Sequence, residues 1–112
     1  MKAIVLNAPG GLDHISLTDL PDPGQPGPGQ IRVAIHATSL NFHDLLVASG
    51  KVPTADRRIL MADGAGVVDA TGEGVTDFKP GDRVVSTFFP QWTEGDVIAS
   101  VGDFGQTPGD GA

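Results

Sequence analysis

The hydrophobic pattern at the start of the chain predicts an opening pair of β-strands. Residues 2–6 form a short apolar run, and residues 7–11 (NAPGG) have the composition of a turn. Residues 14–20 then alternate between polar and apolar side chains, which is the period of a half-buried strand. Residues 21–30 contain no apolar side chain larger than proline, so we expect a surface loop there.

The middle of the chain predicts the clearest strand and a single helix. Residues 31–38 alternate strictly, with Ile31, Val33, Ile35 and Ala37 on the face expected to join the core. Residues 41–50 (NFHDLLVASG) predict one short helix near residues 41–49. Its N-cap would be Asn41 with Asp44 as the capping-box partner, and Gly50 would take the left-handed position after the last turn.

Two more strands are expected towards the C-terminus. Residues 64–71 begin with small side chains and continue as a strand, followed by a turn at residues 72–75. Residues 79–82 (KPGD) place Pro and Gly at the centre of a type II turn that leads into a strand at residues 83–87. Residues 93–112 have little to anchor them, so we expect a loop there.

Composition narrows the class of protein further. With 112 residues, 16 Gly and 9 Pro, the chain fits one mainly β domain with few helices. A net charge of −7 with scattered basic residues argues against nucleic acid or a membrane surface as partner. The chain has no Cys, which removes disulfides and Cys-based zinc sites. No signal peptide or membrane-spanning stretch is visible, so we expect a soluble, cytoplasmic protein.

Three sequence blocks carry a family resemblance. Residues 37–46 (ATSLNFHDLL), 61–68 (MADGAGVV) and 74–84 (GVTDFKPGDRV) occur in this order. Together they resemble the branch of the medium-chain dehydrogenase/reductase superfamily that contains zinc-free quinone reductases and zinc-free alcohol dehydrogenase-like proteins. The third block is the most specific, and the resemblance covers about residues 1–92.

This resemblance implies both a fold and a domain organisation. The fold is mainly β, a GroES-like, partly open β-barrel with one short helix. Residues 1–112 would be the substrate-side domain of a longer protein. That protein would also contain a Rossmann domain for the nucleotide, which this chain lacks. Residues 64–66 (GAG) precede a strand rather than a helix, so they do not form a dinucleotide-binding turn.

The resemblance also bears on metal binding. The Cys and the His that hold catalytic zinc in zinc-dependent members align with Asn41 and Ala62, and neither residue can replace them. Asp63 matches the acidic residue next to that His, but one carboxylate does not make a zinc site. The four-Cys structural zinc lobe is also absent. We therefore expect no zinc.

The implied reaction passes a hydride between NADP or NAD and a small substrate: a quinone, an enone, an aldehyde or an alcohol. Asn41, Phe42 and His43 would lie at the nicotinamide end of the cleft. Asn41 would offer amide hydrogen bonds, and His43 would donate or relay a proton. The alternatives are that Asn41 is only a helix cap and that His43 has no catalytic role. Asp44 is expected to be structural.

The substrate pocket is expected to include Asp63 and the aromatic residues Phe88, Phe89 and Trp92. The aromatic residues could instead fill the core or contact the missing domain. Some quinone reductases carry Tyr at the positions of Leu46 and Val52, and this departure weighs against quinone specificity. His14 and His36 are expected to be ordinary surface histidines.

We therefore predict an NAD(P)H-dependent oxidoreductase that works without zinc, reducing quinones or enones or interconverting alcohols and carbonyls. The parent protein would be a homodimer, whereas the 112-residue chain alone would be monomeric and inactive. Two alternatives are a free-standing GroES-like binding module, which would form a ring like a co-chaperonin, and a β-domain with a purely structural role.

Overall fold

The computed structural model describes residues 1–88 and 94–95. In chain order, the strands are β1 (Lys2–Leu6), β2 (Ile15–Asp19), β3 (Ile31–Ala37), β4 (Arg58–Ile59), β5 (Ala65–Thr71) and β6 (Arg83–Val85). Helix α1 spans Phe42–Ala48, and a short 3-10 helix spans Leu12–His14. The predicted mainly β fold with one short α-helix is confirmed, since strands make up 32% and helices 11% of the described residues.

The chain forms two compact units. Of the described residues, the first unit contains Met1–Leu20, Ser39–Asp63 and residues 87–88 and 94–95, and the second contains Pro21–Thr38 and Gly64–Ser86. Each unit holds one three-stranded antiparallel sheet, in the order β2-β1-β4 in the first and β3-β5-β6 in the second.

The buried residues of the first unit come mainly from its central strand and its helix. Strand β1 buries Val5 and Leu6 completely or nearly so, and α1 buries Asp44, Val47 and Ala48. These three helix positions are spaced i, i+3 and i+4, so they share one face. Burial of that face, rather than the length of so short a helix, stabilises α1.

Both ends of α1 are capped. Asn41 is the N-cap residue, and Gly50 adopts a φ of 77°, as the left-handed C′ position requires. The Gly50 N–H donates to the Val47 carbonyl at 2.9 Å, and the Lys51 N–H donates to the Leu46 carbonyl at 3.0 Å. This is the Schellman arrangement, and it confirms the helix stop predicted at Gly50.

The second unit is built on β5. Its Gly66 faces β3 so closely that a Cβ there would lie 2.1 Å from the Ala34 carbonyl oxygen, so the small residue is required. Register shifts occur between Arg32 and Val33 and again between Ile35 and Ala37. They interrupt the alternation of β3, and the prediction that Ile35 and Ala37 join the core is wrong, since Ile35 is 55% exposed and Ala37 is exposed as well.

Local sequence signals located most of the elements. The predicted type II turn at residues 79–82 is present, with Gly81 at a φ of 98° and the Asp82 N–H donating to the Lys79 carbonyl at 3.1 Å. The sequence did not predict β4 or the 3-10 helix.

His14 and His36 are exposed, as expected. The loop predicted for residues 93–112 lies, apart from residues 94–95, outside the described residues.

Among residues 1–88 and 94–95, no helix combines the length and the apolar character that a membrane span needs.

Candidate functional site

Two of the predicted site residues, Asn41 and Asp63, meet just before α1, within the first unit. Ser39 and Asn41 precede the helix, Asp44 lies in its first turn, and Asp63 ends the segment that leads to β5. We call these four residues the carboxylate–amide cluster. Long-range hydrogen bonds join Asp63 to Ser39 and Asn41, 24 and 22 residues away in the sequence.

The side-chain amide of Asn41 lies at the centre of the cluster. Its Nδ2 donates to Asp63 Oδ2 at 3.1 Å, to Asp44 Oδ2 at 3.2 Å and to the Ser39 carbonyl at 3.2 Å. An amide nitrogen carries two hydrogens, so these three acceptors share them. The Asn41 N–H groups are therefore engaged within the protein.

Asp44 is the buried member of the cluster. It is 7% exposed, and its Oδ2 accepts the Asn41 backbone N–H at 2.8 Å, which forms one half of the predicted capping box. In the other half, the Asn41 side chain faces the Asp44 backbone N–H, which also donates to the Asn41 carbonyl at 3.0 Å. A carboxylate here also suits the positive end of the helix dipole. Asp44 thus has the structural role expected for it.

Asp63 is held by Ser39. The Ser39 backbone N–H donates to Asp63 Oδ1 at 2.9 Å, and the Ser39 hydroxyl donates to Oδ2, the same oxygen that accepts from Asn41. Sequence reasoning did not select Ser39, because one Ser before a helix is an ordinary feature. Only the fold shows that it faces a carboxylate that follows 24 residues later.

His43 and Phe88 also meet. Their ring centroids lie 5.3 Å apart and their planes are inclined by 85°, an edge-to-face contact. The buried Nε2 of His43 has no hydrogen-bond partner in the part of the chain that the structure describes. Phe89 and Trp92, which were predicted to line the same pocket, lie outside the described residues.

Three exposed apolar side chains lie close to Asn41 in the sequence. Phe42, predicted to contact the cofactor, is 75% exposed, and Leu40 and Leu45 are also exposed. Three exposed large apolar residues around one polar cluster are more than isolated surface residues, and such groups mark interaction surfaces.

The residues at this site do not fit the catalytic zinc centre of zinc-dependent relatives. The two ligand positions hold Asn41, whose amide nitrogen is engaged by carboxylates, and Ala62, a methyl group that is 2% exposed. Catalytic zinc needs three protein ligands. Within the described residues, no group of three or more His, Cys, Asp or Glu side chains could hold a metal ion.

Comparison with known proteins identifies the family. Residues 27–107 match the alcohol dehydrogenase GroES-like domain. The human synaptic vesicle membrane protein VAT-1 homolog is 40% identical over 109 residues, which cover 93% of this chain and 28% of that protein. A mycocerosic acid synthase-like polyketide synthase of Mycolicibacterium smegmatis is 48% identical over 86 residues, 75% of this chain and 4% of that protein.

Solved structures agree with this match. An NAD-dependent alcohol dehydrogenase superposes with a TM-score of 0.68 and 46% identity, over 76% of this chain and 25% of that one. The Escherichia coli quinone oxidoreductase in complex with NADPH gives a TM-score of 0.68 and 31% identity, over 76% of this chain and 26% of that one. The chain thus spans no more than 28% of the relatives named here.

The predicted resemblance is confirmed at the level of the family and of its fold. The relatives include quinone oxidoreductases and alcohol dehydrogenases, and the matching domain is the GroES-like one. The chain therefore belongs to the alcohol dehydrogenase GroES-like domain family of the medium-chain dehydrogenase/reductases.

Proposed function

We propose that the chain is the substrate-side domain of an NAD(P)H-dependent reductase that acts on conjugated carbonyl compounds, enones or quinones, without zinc. The observation that carries this proposal is the state of the two zinc-ligand positions. One is Asn41, whose amide nitrogen is bound by two carboxylates, and the other is the buried methyl group of Ala62.

The replacement of zinc ligands by Asn41 and Ala62 at these two positions favours a particular class of substrate. Interconversion of an alcohol and a simple carbonyl concentrates charge on one oxygen, for which a bound metal is an effective Lewis acid. In an enone or a quinone, the charge that develops on hydride addition is delocalised over the conjugated system. Hydrogen-bond donors alone can then stabilise it. Leu46 and Val52, where some quinone reductases carry Tyr, favour enones over quinones.

The residues around Asn41 take specific roles in this proposal. When bound, the nicotinamide of NADPH or NADH supplies the hydride. Asn41, Phe42 and His43 lie at its end of the cleft, and the exposed ring of Phe42 is available to contact it. His43 passes a proton to the substrate oxygen, and its Nε2, which has no hydrogen-bond partner among the residues the structure describes, supports this role.

The substrate pocket is proposed to lie beside His43. Its edge-to-face contact with Phe88 supports an aromatic wall there, to which Phe89 and Trp92 would contribute. An aromatic wall suits flat conjugated substrates. Asp63 was predicted to contact the substrate as well.

The domain organisation is part of the same proposal. Residues 1–112 form the substrate-side domain, and a Rossmann domain elsewhere in the full-length protein binds most of the nucleotide. The exposed apolar side chains Leu40, Phe42 and Leu45 support an additional contact surface on this domain. The chain alone would be monomeric and inactive, and the parent protein a cytoplasmic homodimer.

The proposal is tested with the intact protein that carries this domain. We expect oxidation of NADPH or NADH in the presence of 2-cyclohexenone or 1,4-naphthoquinone, with the same rate before and after treatment with 1,10-phenanthroline. Oxidation of ethanol or benzyl alcohol that is lost on chelation would contradict it. A ring-shaped oligomer in gel filtration, without any oxidation of the nucleotide, would favour the binding-module alternative instead.

A further inference from the structure

The orientation of the Asn41 amide is determined by its neighbours. The two ends of an Asn side chain are nearly identical in shape, and only the hydrogen-bond network distinguishes them. Here Nδ2 lies 3.1 Å and 3.2 Å from two carboxylate oxygens. The flipped amide would place its carbonyl oxygen against both carboxylates, an acceptor facing two acceptors. One orientation is therefore strongly favoured, with the nitrogen turned towards the carboxylates.

The two carboxylates differ in what else they do. Asp44 is buried and accepts the Asn41 backbone N–H, so its contact with Asn41 is part of the helix start. Asp63 comes from a distant segment and contacts Asn41 through the side chain alone. Both of its oxygens are oriented by Ser39, through the backbone N–H and through the hydroxyl. Asp63 is thus a fixed acceptor aimed at the Asn41 amide.

We infer that Asp63 is a positioning residue that acts through Asn41, rather than a contact of the substrate. By holding Nδ2, it leaves the carbonyl oxygen Oδ1 as the atom that Asn41 can present to a ligand, since Oδ1 has a second lone pair beyond the one facing the Asp44 backbone N–H. The site then offers a hydrogen-bond acceptor, and the matching ligand group is a donor such as a carboxamide N–H or a hydroxyl. This rests on the proposed function, in which that ligand is the nicotinamide nucleotide.

The first test observes the amide directly in 15N-labelled intact protein. The Asn41 carboxamide resonances are identified by their loss in Asn41→Asp. We expect them to move in Asp63→Asn, because an amide facing an amide no longer fixes one orientation. They should also move in Ser39→Ala, which loosens Asp63 without changing any charge. Asp77→Asn is the matched control, since exposed Asp77 accepts, among the described residues, only from the neighbouring Thr76 hydroxyl at 3.3 Å.

The second test is a double-mutant cycle on nucleotide binding, measured by the fluorescence of NADPH. Asp63→Asn should weaken binding about tenfold, the size expected when a hydrogen bond to a charged group is lost. In the Asn41→Ala background the same substitution should change binding by less than about twofold, because its target is gone. A purely structural Asp63 would instead weaken binding equally in both backgrounds, and that result would overturn the inference.

The two proposals fail in different ways. If the wild-type protein binds neither NADPH nor NADH, the proposed function fails, and the carboxamide resonances still report whether Asp63 holds Asn41. If the nucleotide binds but the resonances stay in place in both Asp63→Asn and Ser39→Ala, the positioning role fails and the proposed function stands.

Discussion

Two four-residue segments of this protein, Asn41 to Asp44 and Lys79 to Asp82, share the same pair of hydrogen bonds between their first and last residues. In each, the first N–H donates to the carboxylate of the Asp, at 2.8 Å and 2.9 Å respectively. In each, the Asp N–H donates back to the carbonyl of the first residue, at 3.0 Å and 3.1 Å. The same reciprocal pair of hydrogen bonds therefore occurs in both units of the chain.

The side chains give the two segments different properties. In the turn, Lys79 Nζ lies 3.2 Å from Asp82 Oδ1, and Gly81 takes a positive φ that reverses the chain. The pKa of Asp82 is lowered, chiefly by the Lys79 backbone N–H and then by its side chain.

In the helix start, the first residue is instead Asn41, a neutral amide that also binds Asp63. The third residue is His43, which continues the helix and contacts Phe88. The comparison indicates that the shared pair of hydrogen bonds stabilises the local backbone in both segments. The residues at the first and third positions determine whether a site can form there.

The largest expected effect concerns the third position of the helix segment. His43→Ala in the intact protein should lower kcat about 100-fold, the lower end of what a general acid contributes. It should also flatten one limb of the pH–rate profile, with KM for the nucleotide little changed. His14→Ala, at an exposed histidine, is the control. An unchanged profile would leave His43 as a helix residue without a catalytic role.

Much of the fold was predictable because its signals are local. The bounds of β1 agree with the apolar run at residues 2–6, and those of β3 agree with the alternation at residues 31–38. Both four-residue segments follow from an Asp three positions after the first residue. Strand β4 was missed because it has only two residues. It is also flanked by Arg57 and Met61, both at positive φ, which no residue type in that segment indicates.

The site was only partly predictable. Asn41 was selected correctly as the helix cap, because capping is a short-range pattern. Its bond to Asp63 spans 22 residues, and the orientation of its amide depends on that bond. The Ser39 hydroxyl acquires its partner only when the segment before β5 folds beside the helix. Such contacts are properties of the packed unit and leave no periodic trace in the sequence.

The second prediction concerns stability. Asp44→Ala should lower the free energy of unfolding by about 1–2 kcal/mol, because the Asn41 N–H loses its partner in a partly buried position. Urea unfolding followed by circular dichroism measures this. Asp82→Ala is the matched control in the exposed turn and should have the smaller effect. An equal loss of unfolding free energy in both variants would show that the burial of Asp44 does not strengthen its hydrogen bond with the Asn41 N–H.

The smallest effect is a pH dependence confined to the turn. Folding lowers the pKa of Asp82 from an unfolded-state value near 3.8. A group of this kind stabilises the native state above its unfolded-state pKa, and that contribution is lost as the pH falls through the lower, folded-state value. The difference in unfolding free energy between wild type and Asp82→Asn should thus be constant from pH 7 to about pH 5 and shrink below about pH 4.

Lys79→Gln should reduce this pH-dependent part without abolishing it, because the backbone N–H of residue 79, the larger cause of the lowered pKa, remains. A difference that stays unchanged at pH 3 would contradict the prediction that the ionised Asp82 carboxylate stabilises this turn.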